Sequence, residues 1–95
     1  MAALIIVDVR VTDQAKFDEY KKLVPATLQP FGGRFIARGG RVETLEGGWD
    51  PQRIVVIEFP TLERARAWWA SEEYRFPKIM RMESAETRMI VVESV

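Results

Sequence analysis

The run Pro30-Phe31-Gly32-Gly33-Arg34-Phe35-Ile36-Ala37-Arg38-Gly39-Gly40 sets two glycine pairs around five alternating residues. Arg34, Ile36 and Arg38 fall on one side, Phe35 and Ala37 on the other, the period of a short strand between breakers. Pro30 closes the helix before it, and Gly32-Gly33 turns the backbone through angles closed to other residues. Gly39-Gly40 turns or bulges the chain into Arg41-Val42-Glu43-Thr44-Leu45-Glu46, which reads as a hairpin partner. These glycines do not form a nucleotide-binding loop, where the glycine pattern must open a helix.

Upstream, Leu4 to Val11 is rich in β-branched residues and predicts a strand. Leu4, Ile6, Asp8 and Arg10 share one face. Ile5, Val7, Val9 and Val11 share the other, which should meet helices. Thr12-Asp13 offers a helix cap. Phe17, Tyr20, Val24 and Leu28 then recur at helical spacing, with Leu23 on the flank and charged residues opposite. Pro25 lies inside this pattern and predicts a kink or an end near Val24.

Downstream, Gly47 to Gln52 reads as a loop carrying Trp49, and Arg53 to Phe59 as the strongest strand. Ile54, Val56 and Glu58 alternate there with Val55, Ile57 and Phe59. Pro60 ends it, and Thr61 caps a helix striped by Leu62, Ala65, Trp68 and Trp69. Only one of the two tryptophans can face the sheet. Ser71 to Tyr74 begins a further helical turn, broken by Pro77. Thr87 to Glu93 closes the chain as a strand with Arg88, Ile90 and Val92 on one face. With the arm after Gly40 merged as a short extra strand, the order is β-α-β-β-α-β. That is the ferredoxin-like pattern of an α+β protein with an antiparallel sheet, one domain over residues 1–95. The expected core is Ile5, Val7, Val9, Phe17, Val55, Ile57, Phe59, Ala65 and one of Trp68 or Trp69.

Composition narrows the functional classes. Fourteen basic and fourteen acidic residues cancel, which leaves no electrostatic case for nucleic acid or an anionic membrane. Without cysteine there are no disulfides, thiolate nucleophiles or thiolate zinc sites. The absence of histidine removes the commonest base near neutral pH and the commonest metal ligand, so no metal is expected. Catalysis would rest on carboxylates, Tyr, Arg, Lys or a bound cofactor, and the expectation here is that no cofactor is used. The apolar opening segment lacks a basic leader and is interrupted by Asp8, so a cytoplasmic protein is expected.

In such a fold the helices cover one sheet face. The other would carry Ile6, Ile36, Ile54, Val56, Ile90 and Val92, an apolar patch that predicts a homodimer packed face to face. The alternative is coverage by loops and the segment after Pro77 within one chain. Strand alternation also puts Asp8, Glu58, Arg38 and Arg88 on that face. Asp8 and Glu58, expected side by side on central strands, are the candidate catalytic carboxylates, since close carboxylates raise one another's pKa. Arg38 and Arg88 would grip a small acidic or aromatic ligand. An inert ion-pair network fits the same residues. Tyr20, Trp68, Tyr74 and Arg81 are further candidate ligand contacts, with core packing the alternative for the aromatics.

The pieces Ile6-Val7-Asp8-Val9, Tyr20, Pro30-x-Gly32-Gly33, Arg38-Gly39-Gly40, Leu45-Glu46-Gly47, Ile57-Glu58-Phe59-Pro60, Ala67-Trp68-Trp69-x-Ser71-x-x-Tyr74 and Arg81 together resemble a bacterial family. It is the family described as a domain of unknown function, number thirteen-thirty. The resemblance spans almost the whole chain and implies a dimeric α/β barrel of ferredoxin-like subunits. The wider superfamily includes small monooxygenases, cyclases, isomerases and dismutases; the family itself implies no established activity. Three functions therefore fit the sequence: an enzyme using cofactor-independent acid/base chemistry, a non-catalytic small-molecule binder, and an interaction protein whose charges only order a dimer.

Overall fold

The computed structural model describes all 95 residues, Met1–Val95. Strand β1 (Ala3–Val11) leads into helix α1 (Gln14–Leu28), a single 3-10 turn (Gln29–Phe31) and strand β2 (Arg34–Arg38). Strand β3 (Ile54–Phe59), helices α2 (Leu62–Trp69) and α3 (Glu72–Ser84), and strand β4 (Ala85–Glu93) follow. The four strands form one sheet in the order β2-β3-β1-β4, and every neighbouring pair is antiparallel. This is the expected α+β, ferredoxin-like arrangement. No helix is long and apolar enough to cross a membrane.

Alternation on the strands decides where the core lies. Ile5, Val7 and Val9 of β1 and Ile57 and Phe59 of β3 are buried beneath the helices, as are Phe17, Ala65 and Trp68. Val55 is only partly buried but packs against the same cluster. Of the tryptophan pair, Trp68 is 1% exposed, whereas Trp69 is 43% exposed with Lys78 Nζ 3.8 Å above its ring. Trp68 stacks on Tyr74 at 4.0 Å between ring centres, and its indole donates to Thr27 Oγ1 at 3.0 Å. A buried indole N–H therefore has its acceptor, as burial requires.

The helix starts follow from capping side chains. Asp13, Thr61 and Ser71 accept from the backbone N–H of Lys16, Arg64 and Tyr74. The glycines before β2 are needed for space as well as for turning. Gly32 has φ 71°, and a Cβ on Gly33 would stand 2.7 Å from the Phe59 ring, so only glycine lets β2 settle against the core.

Three expectations are corrected. Helix α1 runs unbroken through Pro25 to Leu28, and α3 runs unbroken through Pro77, which is buried. A proline removes one hydrogen bond from a helix, and packing on the sheet outweighs that loss here. The segment Arg41 to Glu46 forms no strand, and β2 pairs directly with β3. Neither alternating set in that segment is apolar, so no buried face holds it in register; Leu45 is 92% exposed. The connection is instead tied at its ends, where Gly39 N–H donates to the Ile54 carbonyl and Thr44 Oγ1 to the Trp49 carbonyl.

Candidate functional site

The open sheet face is built of three cross-strand rows. Glu58, Leu4 and Val92 form the first, Val56, Ile6 and Ile90 the second, and Ile54, Asp8 and Arg88 the third. Asp8 and Glu58 thus stand two rows apart, about 13 Å along the strands at about 3.3 Å per residue. The expected carboxylate pair does not form. The two central strands are neighbours, but their antiparallel register puts Glu58 opposite Leu4 and Ile54 opposite Asp8. Glu58 Oε1 instead accepts from Arg34 Nε at 2.8 Å and Nη2 at 2.7 Å. Asp8 Oδ2 accepts from the Trp49 indole at 3.0 Å, in a polar cleft shared with Arg10, Asp50, Glu86 and Arg88. Three carboxylates face two arginines there, and Arg10 pairs with Glu86 at 3.3 Å in solvent.

Arg38 is not on this face. The β2–β3 register runs Arg34 to Glu58 and Phe35 to Ile57, then shifts, so that Ala37 faces Val56 and Arg38 faces Val55. Ile36 is the extra residue of a bulge, and one inserted residue reverses every side chain after it. Arg38 is thereby carried to the helix side. Its Nη2 donates to the Lys21 carbonyl at 2.8 Å, and its guanidinium lies 4.2 Å from the Phe35 ring centre. Lys21 is four residues before Pro25, which has no N–H to give that carbonyl. Proline in α1 and bulge in β2 supply the two halves of one contact.

The contact stands at the mouth of a cavity of about 40 Å³ between the sheet and helices α1 and α3. Aliphatic residues of β1 and β3, with Phe17, Phe35, Trp68 and Met89, form its walls. Its polar lining is Tyr20, Lys21, Arg38, Arg53 and Arg81, four cations and a phenol without a carboxylate. Gly39 has φ 72°, and a Cβ there would stand 2.0 Å from Arg53 Nη1. Arg53 therefore lies against bare backbone, with its Nε buried and without a hydrogen-bond partner. Arg81, from the last turn of α3, is 4% exposed. Its Nε donates to Tyr74 Oη at 3.2 Å and its Nη1 to Thr87 Oγ1, and it is in no ion pair.

Tyr20 Oη and Tyr74 Oη are 2.7 Å apart. Burial, reinforced by Tyr74, pushes the Tyr20 hydroxyl above the ordinary tyrosine value, so it stays protonated. Tyr20, Trp68, Tyr74, Arg81 and Arg38 thus come together on the helix side; Asp8, Glu58 and Arg88 remain on the open face. Lys21 and Arg53, which the sequence did not single out, also line the cavity, and Thr87 accepts from Arg81. Arg53 was legible, since it shares the alternation of Val55, Ile57 and Phe59. Lys21 was not, because on a helix wheel it belongs to a solvated face.

The fold and cavity define a ferredoxin-like α+β protein with a cationic pocket beneath its helices. The chain belongs to the family described as domain of unknown function (DUF1330), whose model matches residues 2–95. No protein of curated function matches it. Among solved structures, a protein of unknown function from Rhodopseudomonas palustris is similar with a TM-score of 0.77 at 14% identity, over 99% of this chain and 82% of that one. A dimeric protein of unknown function with a ferredoxin-like fold from Bacteroides fragilis has a TM-score of 0.69 at 16% identity, over 98% and 96%. SnoaB, a cofactor-independent oxygenase from Streptomyces nogalater, has a TM-score of 0.68 at 12% identity, over 99% and 93%. Identities this low carry the fold alone.

Proposed function

We propose that this chain is a cytoplasmic homodimer whose helix-side cavity binds a small acidic molecule and steadies negative charge on it, without a cofactor. The observation that carries the reading is the polar lining: four cations and no carboxylate, with Lys21 paired to Asp18 at 3.3 Å outside the lining and Arg38, Arg53 and the buried Arg81 in no ion pair. A guanidinium cannot lose its proton, so burying it without a counter-charge is unfavourable unless an anion completes the site. The same lining limits the chemistry. Tyr20 can donate a proton or a hydrogen bond, and the arginines can stabilise an enolate, phenolate or carboxylate. The cavity holds no general base, so any catalysis acts on a substrate that ionises readily. The cofactor-independent oxygenase of similar fold is compatible with such chemistry. The cavity volume favours ligands of two or three carbons; an aromatic ring would require Arg38 to move from its mouth, since a site for benzene is about 150 Å³.

The dimer is supported by the aliphatic row Val56, Ile6 and Ile90, with Val92 and Ile36 beside it; Ile90 is 61% exposed. A second copy laid on this face removes that apolar surface from water. The similar protein from Bacteroides fragilis is dimeric. The ligand reading is tested by thermal shift at low ionic strength with acetate and propionate against acetamide and propionamide. The carboxylates should raise the melting temperature and the amides should not. An equal response to anion and amide would overturn it.

A further inference from the structure

Hydrogen-bond direction in the buried chain Arg81–Tyr74–Tyr20 follows from donor chemistry. Arg81 Nε carries a hydrogen and has no lone pair to accept with, so it donates to Tyr74 Oη at 3.2 Å. Tyr74 is 0% exposed and keeps its own hydroxyl hydrogen, which needs an acceptor. The one acceptor bonded to that hydroxyl is Tyr20 Oη, 2.7 Å away. Tyr74 therefore donates to Tyr20, and the Tyr20 hydrogen is left without a protein acceptor. Tyr20 lines the cavity and Tyr74 stands behind it. Each bond polarises the next, so a chain begun by a guanidinium ends in a strengthened donor.

We propose that the Tyr20 hydroxyl is the ligand-facing hydrogen-bond donor of the cavity, held in direction by Arg81 through Tyr74, and that it grips the anionic oxygen of a small carboxylate. The inference rests on the cavity being an anion site, as argued above, and adds which group contacts the anion and why it points there. Arg53, which also lines the cavity and whose buried Nε has no hydrogen-bond partner, supplies a second donor to the ligand. Tyr74 is a positioning residue, since it meets the ligand only through Tyr20. The stacked Trp68 ring, 4.0 Å from the Tyr74 ring, holds the phenol in its plane.

The test measures propionate and propionamide affinities for wild type, Tyr20→Phe and Tyr74→Phe by calorimetry. Tyr20→Phe should weaken propionate about tenfold or more, the range for a hydrogen bond to a charged group. Tyr74→Phe keeps the contacting hydroxyl but frees its direction, and should weaken propionate by a smaller factor. Propionate binding to Tyr20→Phe with wild-type affinity would overturn the inference while leaving the anion site standing. Wild type that does not prefer propionate to propionamide would overturn both. A second readout needs no variant: NMR of hydroxyl hydrogens in tyrosine-labelled wild type should show the Tyr74 hydrogen protected from exchange and the Tyr20 hydrogen exchanging faster. The reverse order would mean that Tyr20 donates to Tyr74, and the inference would fail.

Discussion

Replacing Arg81 by methionine separates a ligand-holding charge from a structural one. Methionine retains an unbranched, flexible stem of suitable size for the site. The substitution removes two charge-assisted hydrogen bonds, to Tyr74 Oη and Thr87 Oγ1. At about 1.5–3 kcal/mol each, they are worth about 3–6 kcal/mol. It also removes the desolvation of a guanidinium that is 4% exposed and has no counter-charge. That penalty is several kcal/mol and of opposite sign. Neither acceptor is left stranded, because Tyr74 still bonds Tyr20 and Thr87 is only partly buried. The two effects nearly cancel, and Arg81→Met should change stability by no more than about 2 kcal/mol in either direction. Urea denaturation at fixed protomer concentration measures this, and the response to propionate, measured on the same samples, should disappear. A loss above about 3 kcal/mol with the propionate response intact would refute the reasoning, because that is the behaviour of a buried charge already paired within the protein.

Stability should fall as pH rises above about 10, where unfolded tyrosine ionises but folded Tyr20, its pKa raised by burial, holds its proton. The unfolded state then binds fewer protons, and Tyr20 contributes a loss of about 1.4 kcal/mol per pH unit; urea midpoints across this range should show a shallower fall for Tyr20→Phe. Ile90→Lys puts a charge at the β4 end of the aliphatic row on the open face. Light scattering should give a mass of two chains for wild type and one for the variant; wild type of one chain across dilution would remove the dimer.

The order of elements, the alternation that buries Ile5, Val7, Val9, Ile57 and Phe59, and the caps Asp13, Thr61 and Ser71 were legible from residue to residue. They depend on neighbours a few positions apart, where a period of two or 3.6 and a capping side chain carry the information. The candidate site was legible only in its parts. Tyr20, Trp68, Tyr74 and Arg81 stood out as residue types, but their meeting joins α1 to α3 across 54 positions between the two tyrosines. Register decided the rest. A single extra residue at Ile36 turned Arg38 from the open face to the cavity, and the pairing of β1 with β3 parted Asp8 from Glu58. A bulge and a register are settled by which long-range pairing buries the most apolar surface and satisfies the most backbone, and no local pattern encodes that comparison. Tertiary packing alone decided that the charge of Arg81 lies in the core without a counter-charge.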